Sequence, residues 1–358
     1  MALKLAPPLL PMEAQSVERI PRGDAWQYEP KWDGFRSIVF RDNDRIELQS
    51  KSGQPLTRYF PELAEAFARL PGPAFVVDGE IVVPAGESYD FDALLQRIHP
   101  AASRVKKLAA ETPARFIVFD LLAAEDGRSL LALPLQERRK RLEAFARRQL
   151  KRNRSIELSP LTHDPAEAER WLKDGGGRLD GVVAKRRDVE YRPADRSVMQ
   201  KIKNLRSADC VVGGFRYGEG TKLVGSLLLG LYDAEGRLNH VGFTSNLKAT
   251  ERAALTKKLE RLIEPPGFSG KAPGGPSRWS TKRSAEWQPL KPALVVEVCY
   301  DHFSGGRFRH GTRFMRWRPD KAPPQCTLDQ VEKKRAHPFA LFRKPSLRAV
   351  PKARVRNP

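Results

Sequence analysis

The chain has only three cysteines in 358 residues, Cys210, Cys299 and Cys326, and no two of them are close in sequence. That spacing excludes a Cys-x-x-Cys zinc or redox motif. An odd number of scattered thiols fits reduced side chains in a cytosolic protein. No stretch approaches the roughly 18 uninterrupted apolar residues that cross a bilayer. The N-terminal segment MALKLAPPLLPMEAQS is briefly apolar, but it carries Pro7, Pro8 and Glu13 and makes a poor signal peptide. The six histidines show no metal-type spacing, and there is no internal repeat. These absences lead us to expect a cytoplasmic protein without a membrane partner.

Acidic residues are also in short supply. There are 43 of them against 64 lysines and arginines, a formal charge of +21, and the isoelectric point is near 10.1. A field of that sign attracts polyanions, nucleic acid before acidic membrane surfaces. A hydrophobic content of 40% with 30% charged residues describes a globular chain. Its length has room for two cores.

What is present has a clear order. Residues 26–50 read as two strands around Asp42-Asn43-Asp44, which is hairpin chemistry. AFVVDGEIVVP (74–84) reads as a strand pair interrupted at Asp78-Gly79, and ARFIVFDLLAA (114–124) as a buried strand. A charged helix is expected from Pro134 to Asn153, with Leu135, Leu142, Phe145 and Leu150 recurring at helical spacing. A further helix at 165–177 ends in glycines, and strands follow at 179–187 and 198–204. After Asn204 the texture changes to short strands (210–215, 226–232, 239–244, 293–300) around one helix at about 247–263. That pattern suits a small β-barrel. Residues 265–292 read as a mobile loop, and 336–358 as a flexible basic tail.

Chemistry concentrates in Glu29-Pro30-Lys31-Trp32-Asp33-Gly34-Phe35-Arg36. A lysine nucleophile must lose its proton, and burial or neighbouring cations would help by lowering its pKa. Alone, Lys31 reads better as a surface lysine or a partner of Asp33. Four further polar clusters interrupt strands that look buried: Asp78-Gly79-Glu80, Asp120, Asp180-Gly181, and Lys201 with Lys203. Charge in a buried strand is costly unless paired or functional.

Taken together, in this order, the clusters resemble the covalent nucleotidyltransferases, the polynucleotide ligases and mRNA capping enzymes. Lys31, Asp33, Gly34 and Arg36 match the opening K-x-D-G-x-R motif. Asp78-Gly79-Glu80, Phe119-Asp120, Asp180 to Lys185, Lys201-Ile202-Lys203, and Arg316 to Lys321 resemble the later motifs. The segments EPKWDGFR, LDGVVAKRRDVEYRP and GTRFMRWRPDK are most similar to bacterial ATP-dependent DNA ligases of the compact two-domain type related to end-joining modules. Arg36 points to ATP, since NAD-dependent ligases carry a non-basic residue there.

The resemblance implies an α+β architecture. An ATP-grasp-like adenylation domain of antiparallel sheets with flanking helices (1–204) would precede an all-β OB-fold domain (205–335). It implies that Lys31 attacks the α-phosphate of ATP, with Glu29 at the adenine, Phe119 stacked on the purine, and Arg36, Lys51 and Glu80 near the ribose or phosphates. Arg196 would touch ATP, and Lys201 and Lys203 the α-phosphate. Glu80 and Asp180 would bind Mg2+ or Mn2+. Arg316, Arg318 and Lys321 would orient pyrophosphate from a swinging OB domain. Nicked or broken duplex DNA is the implied substrate and repair the implied duty, in a monomer helped by a DNA-end-binding protein, without a separate N-terminal encircling domain. Three departures stand out: Asp180 replaces the usual glutamate, Lys51 the usual arginine, and Met199-Gln200 precede Lys201 where a tryptophan is often found. RNA ligase or capping activity, or a non-catalytic basic nucleic-acid-binding protein, remain alternatives at this stage.

Overall fold

The computed structural model describes residues 3–85, 88–151, 153–174, 179–274 and 286–331. The tail expected at 336–358, the centre of the loop expected at 265–292 and the glycine stop at 175–177 lie outside them. The chain divides into two compact units, one from the N-terminus to Ile202 and one over Lys203–Lys334.

The first unit is built on two sheets. One has five strands in the order Arg45–Ser50, Phe35–Asp42, Ala74–Val82, Arg115–Ala123 and Ile156–Leu158. The other has four, in the order Gln15–Ser16, Met199–Lys203, Gly181–Arg186 and Trp26–Lys31. Trp26–Lys31 pairs antiparallel with Gly181–Arg186, as do the first four strands of the five-stranded sheet with one another, whereas the edge strands Ile156–Leu158 and Gln15–Ser16 pair in parallel. The turn of the expected hairpin forms, and Asn43 takes a φ of 55° there, a conformation asparagine tolerates better than most residues; but residues 26–50 make three strands and not two, because Trp26–Lys31 lies in the other sheet. The helix Leu135–Gln149 buries Leu135, Leu142 and Phe145, as its spacing predicts, the last two in the core of the first sheet.

One expectation is overturned here. Ala74–Val82 is a single unbroken strand, not a pair split by Asp78-Gly79. Gly79 is required for a tertiary reason: a Cβ there would collide with the Phe116 ring and the Ile117 carbonyl on the neighbouring strand. A true crossing occurs at Trp32-Asp33-Gly34, where the chain leaves the four-stranded sheet after Lys31 and enters the five-stranded sheet at Phe35. Gly34 passes so close to the Ile81 carbonyl that a side chain would not fit.

The second unit is a barrel of five main strands, in the order Leu238–Thr244, Val224–Tyr232, Arg206–Tyr217, Val295–Tyr300 and Arg313–Trp317. Thr244 and Thr312 join its ends through a parallel bridge. The helix Arg252–Glu260 packs Leu259 into the core, and the arrangement is the expected OB-fold. The flanks of the expected loop are also corrected. Phe268 is 4% exposed and fills the space left by Gly213 and Gly230, and Leu290 is fully buried. Apolar burial of these two anchors outweighs the Pro- and Gly-rich composition around them.

Candidate active site

Lys31 ends one strand and Arg36 lies near the start of the next, in the other sheet, so the three-residue crossing brings both to one open cavity of roughly 830 Å³. Of the residues singled out in the sequence, Glu29, Lys31, Arg36, Lys51, Glu80, Phe119 and Lys201 all line it. Asp180 precedes the strand paired with Trp26–Lys31, and its carboxylate accepts a hydrogen bond from Lys31 Nζ.

The electrostatics differ from the expectation for Lys31. Burial pulls its ammonium pKa down, but Asp180, Glu80 and Asp33 outweigh burial, and the net direction is upward. A pKa lowered by burial or by neighbouring cations was expected, and the three carboxylates reverse that direction. In this arrangement the lysine is held in an ion pair with Asp180. Burial pushes the Glu80 carboxyl up to about 7, against the opposing pull of Arg36 and Lys31. The carboxylates of Asp33 and Asp180 lie within 4.8 Å of each other, and paired carboxylate oxygens suit a hard divalent cation.

Glu29 is buried, and its carboxylate already accepts from Lys185 Nζ at 2.7 Å and Gln27 Nε2 at 2.8 Å. A carboxylate has further lone pairs, so it can still accept from an exocyclic amine. Phe119 carries two cations over its ring: the Arg36 guanidinium at 4.4 Å and Lys185 Nζ at 4.3 Å from the centroid. A purine stacked there must share the ring with them. Lys51 and Arg196 meet on the Glu13 carboxylate, at 3.0 and 2.8 Å, and Glu13 itself lines the cavity.

Six predicted residues are not among those lining the cavity: Asp180 and Arg196, whose partners are given above, and four whose partners lie in the second unit. Lys203 opens the second unit and donates to Asp301 at 2.8 Å. Arg316 pairs with Glu297 at 2.7 Å, and Arg318 and Lys321 both hold Asp209, at 2.8 and 2.7 Å. Sequence reasoning missed Glu13, Asp78 as a side-chain partner of Arg36, Lys185 and Tyr191. Lys185 had a readable signal, because it lies on the strand that begins after Asp180 and alternates with buried Val182 and Ala184. Tyr191 had none, since its partner Asp78 is 113 positions away.

A positioned lysine, cations for phosphate oxygens, an aromatic plate and two carboxylates can perform nucleotidyl transfer. Comparisons with known proteins agree. Residues 8–203 match the model of the ATP dependent DNA ligase domain, and residues 220–321 that of the ATP dependent DNA ligase C terminal region. The chain is 46% identical to DNA ligase C2 of Mycolicibacterium smegmatis over 93% of its own length and 96% of that protein's. It is 33% identical to the Multifunctional non-homologous end joining DNA repair protein LigD of Mycobacterium tuberculosis, over 86% of its own length and 38% of that protein's. A solved structure titled as a structure-function analysis of Lig E DNA ligases shares the fold, with a TM-score of 0.53 at 15% identity, over 87% of this chain and all of that one. The chain belongs to the ATP-dependent DNA ligase family, an enzyme family that uses ATP and a divalent metal to join DNA.

Proposed function

We propose that Lys31 is the nucleophile of strand joining. Its neutral Nζ attacks the α-phosphorus of ATP, forming a phosphoramidate while the bond to the β-phosphate oxygen breaks and pyrophosphate leaves. The AMP then passes to the 5′-phosphate at a DNA break, and a 3′-hydroxyl displaces it to seal the strand. The observation that carries this reading is that Lys31, Arg36, Lys51 and Lys201 line one cavity with Glu29, Glu80 and Phe119.

In this reading Glu29 receives the adenine amine, and Phe119 supports the purine. Arg36, Lys51 and Arg196 hold ribose and phosphate oxygens, and Lys201 with Lys203 balances charge at the α-phosphate. Glu80 and Asp180 hold the divalent cation, which when bound offsets phosphate charge. Pairing those carboxylates elsewhere also frees Lys31 from its acidic neighbours. Arg316, Arg318 and Lys321, in the second unit, orient the leaving pyrophosphate. The working division is an adenylation domain at 1–204, an OB-fold domain at 205–335 and a basic tail at 336–358.

The basic surplus grips duplex phosphates largely without sequence preference. Similarity to a protein named for end joining supports a repair duty; in this reading the protein works in the cytoplasm, as a monomer, with a DNA-end-binding protein. Incubation with labelled ATP and magnesium tests the core of this reading. Wild type should gain an acid-labile AMP adduct and Lys31→Ala none; an adduct on Lys31→Ala would overturn it. Nicked DNA and nicked RNA duplexes in parallel then test the nucleic-acid substrate.

A further inference from the structure

Beneath the cavity lies a buried polar chain that the reaction as described leaves unused. Arg36 donates from Nε and Nη2 to both oxygens of Asp78, at 2.5 and 2.7 Å. Asp78 has no exposed surface and cannot reach a substrate itself. Its Oδ2 also accepts from the Tyr191 hydroxyl at 2.8 Å. The same hydroxyl oxygen accepts the Met12 backbone N–H at 3.3 Å. Behind the tyrosine ring, Arg138 lies 5.4 Å from its centroid and is itself tied to both oxygens of Asp120, each at 2.9 Å. Among the side chains of this chain, Arg36 alone has substantial exposure, 23%, and it opens into the cavity.

We propose that Tyr191 is a positioning residue of the nucleotide cavity, its hydroxyl fixing at once the Asp78 carboxylate that aims Arg36 and the strap at Met12 that forms part of the cavity wall. The proposal rests on the function set out above. The hydroxyl has one proton and lone pairs to spare, and both capacities are in use. The proton goes to Asp78, and burial raises the phenol pKa well above its ordinary value, so the donor persists at working pH. The lone pair holds Met12, within a strap further stitched by Glu13 N–H to the Asp195 carbonyl at 2.8 Å. Pro11, Met12, Glu13 and Ala14 all face the cavity. Without the hydroxyl, Asp78 loses one of its three donors and a buried N–H loses its acceptor. The guanidinium then keeps its charge but gains angular freedom, and binding that depends on how Asp78 aims its remaining N–H groups weakens.

Tyr191→Phe tests this, because the ring and its packing on Arg138 remain. The expected result is a rise of about three- to tenfold in the ATP concentration that half-saturates lysyl-AMP formation, with the maximal rate changed less than about twofold. In an Arg36→Lys background, which lacks the fork, the same change should add little, because the two residues act as one unit. A purely packing role predicts something else: a lower unfolding midpoint and a smaller active fraction at unchanged half-saturation. That outcome, or a shift that is fully additive with Arg36→Lys, overturns the proposal. Asp78→Asn supplies the same comparison if Tyr191→Phe fails to fold. ATP affinity by calorimetry needs no covalent step. A wild type that binds ATP yet forms no lysyl-AMP therefore sinks the proposed nucleophile while leaving the Tyr191 comparison decisive.

Discussion

Asp180 holds Lys31 twice: its carboxylate accepts from the lysine Nζ, and its backbone N–H donates to the Lys31 carbonyl at 3.0 Å. The side chain that most strongly opposes loss of the lysine proton is thus also the one proposed to take the cation. Asp180→Asn keeps the shape and removes the charge. It should slow lysyl-AMP formation by about 100-fold at saturating ATP and magnesium. Asp180→Glu, which restores the carboxylate one methylene further out, should recover to within about tenfold of wild type in rapid-quench assays. Equal losses in the two variants would remove Asp180 from the chemical step.

Phe119 supports two cations and, in the proposed reaction, a purine. Phe119→Leu keeps apolar volume and removes the π-face. Half-saturating ATP should rise about tenfold, with a smaller effect on the maximal adenylation rate. A drop in maximal rate at unchanged half-saturation would argue that the ring serves only to hold Arg36 and Lys185.

The second unit should carry a pH dependence set by His240. Burial, then Arg307 and Arg216, lower its pKa from 6.5 to about 3. The imidazole is 6% exposed, and its ring meets Phe268 at 5.4 Å. Between those two pKa values the unfolded chain binds the extra proton, so stability falls as pH falls from 6.5 toward 3. The slope approaches roughly 1.4 kcal/mol per pH unit. Asp301 works in a lower window. Burial raises its pKa, but Lys203 and His310 outweigh that and hold it below the ordinary value, so its contribution is lost only under more acidic conditions. Urea midpoints between pH 6.5 and 5 should decline more steeply for wild type than for His240→Gln, and parallel declines would refute the assignment.

Gly79→Ala should destabilise the first unit by about 1–3 kcal/mol through overpacking against Phe116. Chemical denaturation followed by tryptophan fluorescence would show it, since Trp32 is buried in that unit. An unchanged midpoint would mean that the two strands separate freely.

Much of this was legible in the sequence, for local reasons. Asp42-Asn43-Asp44 encodes a hairpin in three residues, and Leu135, Leu142 and Phe145 mark one helix face. The cavity residues were legible because their chemistry is ordered along the chain. Asp78-Gly79 was misread as a turn because its local composition is that of one, whereas the glycine answers to the Phe116 ring across the sheet. Phe268 was hidden for the opposite reason: one buried aromatic barely alters the composition of a Pro- and Gly-rich stretch. Glu13 and Tyr191 carry no pattern at all, because their partners lie up to 183 positions away.

The crossing at Trp32-Asp33-Gly34 has a further consequence. Lys31 and Arg36 ride on separate sheets, so the span between them depends on how the two sheets pack and not on either alone. The cavity thereby acts as a strain gauge for the whole first unit. Small core changes far from Lys31 should register as lost adenylation before they register as lost folding, and conditional alleles should cluster in the packing between the sheets.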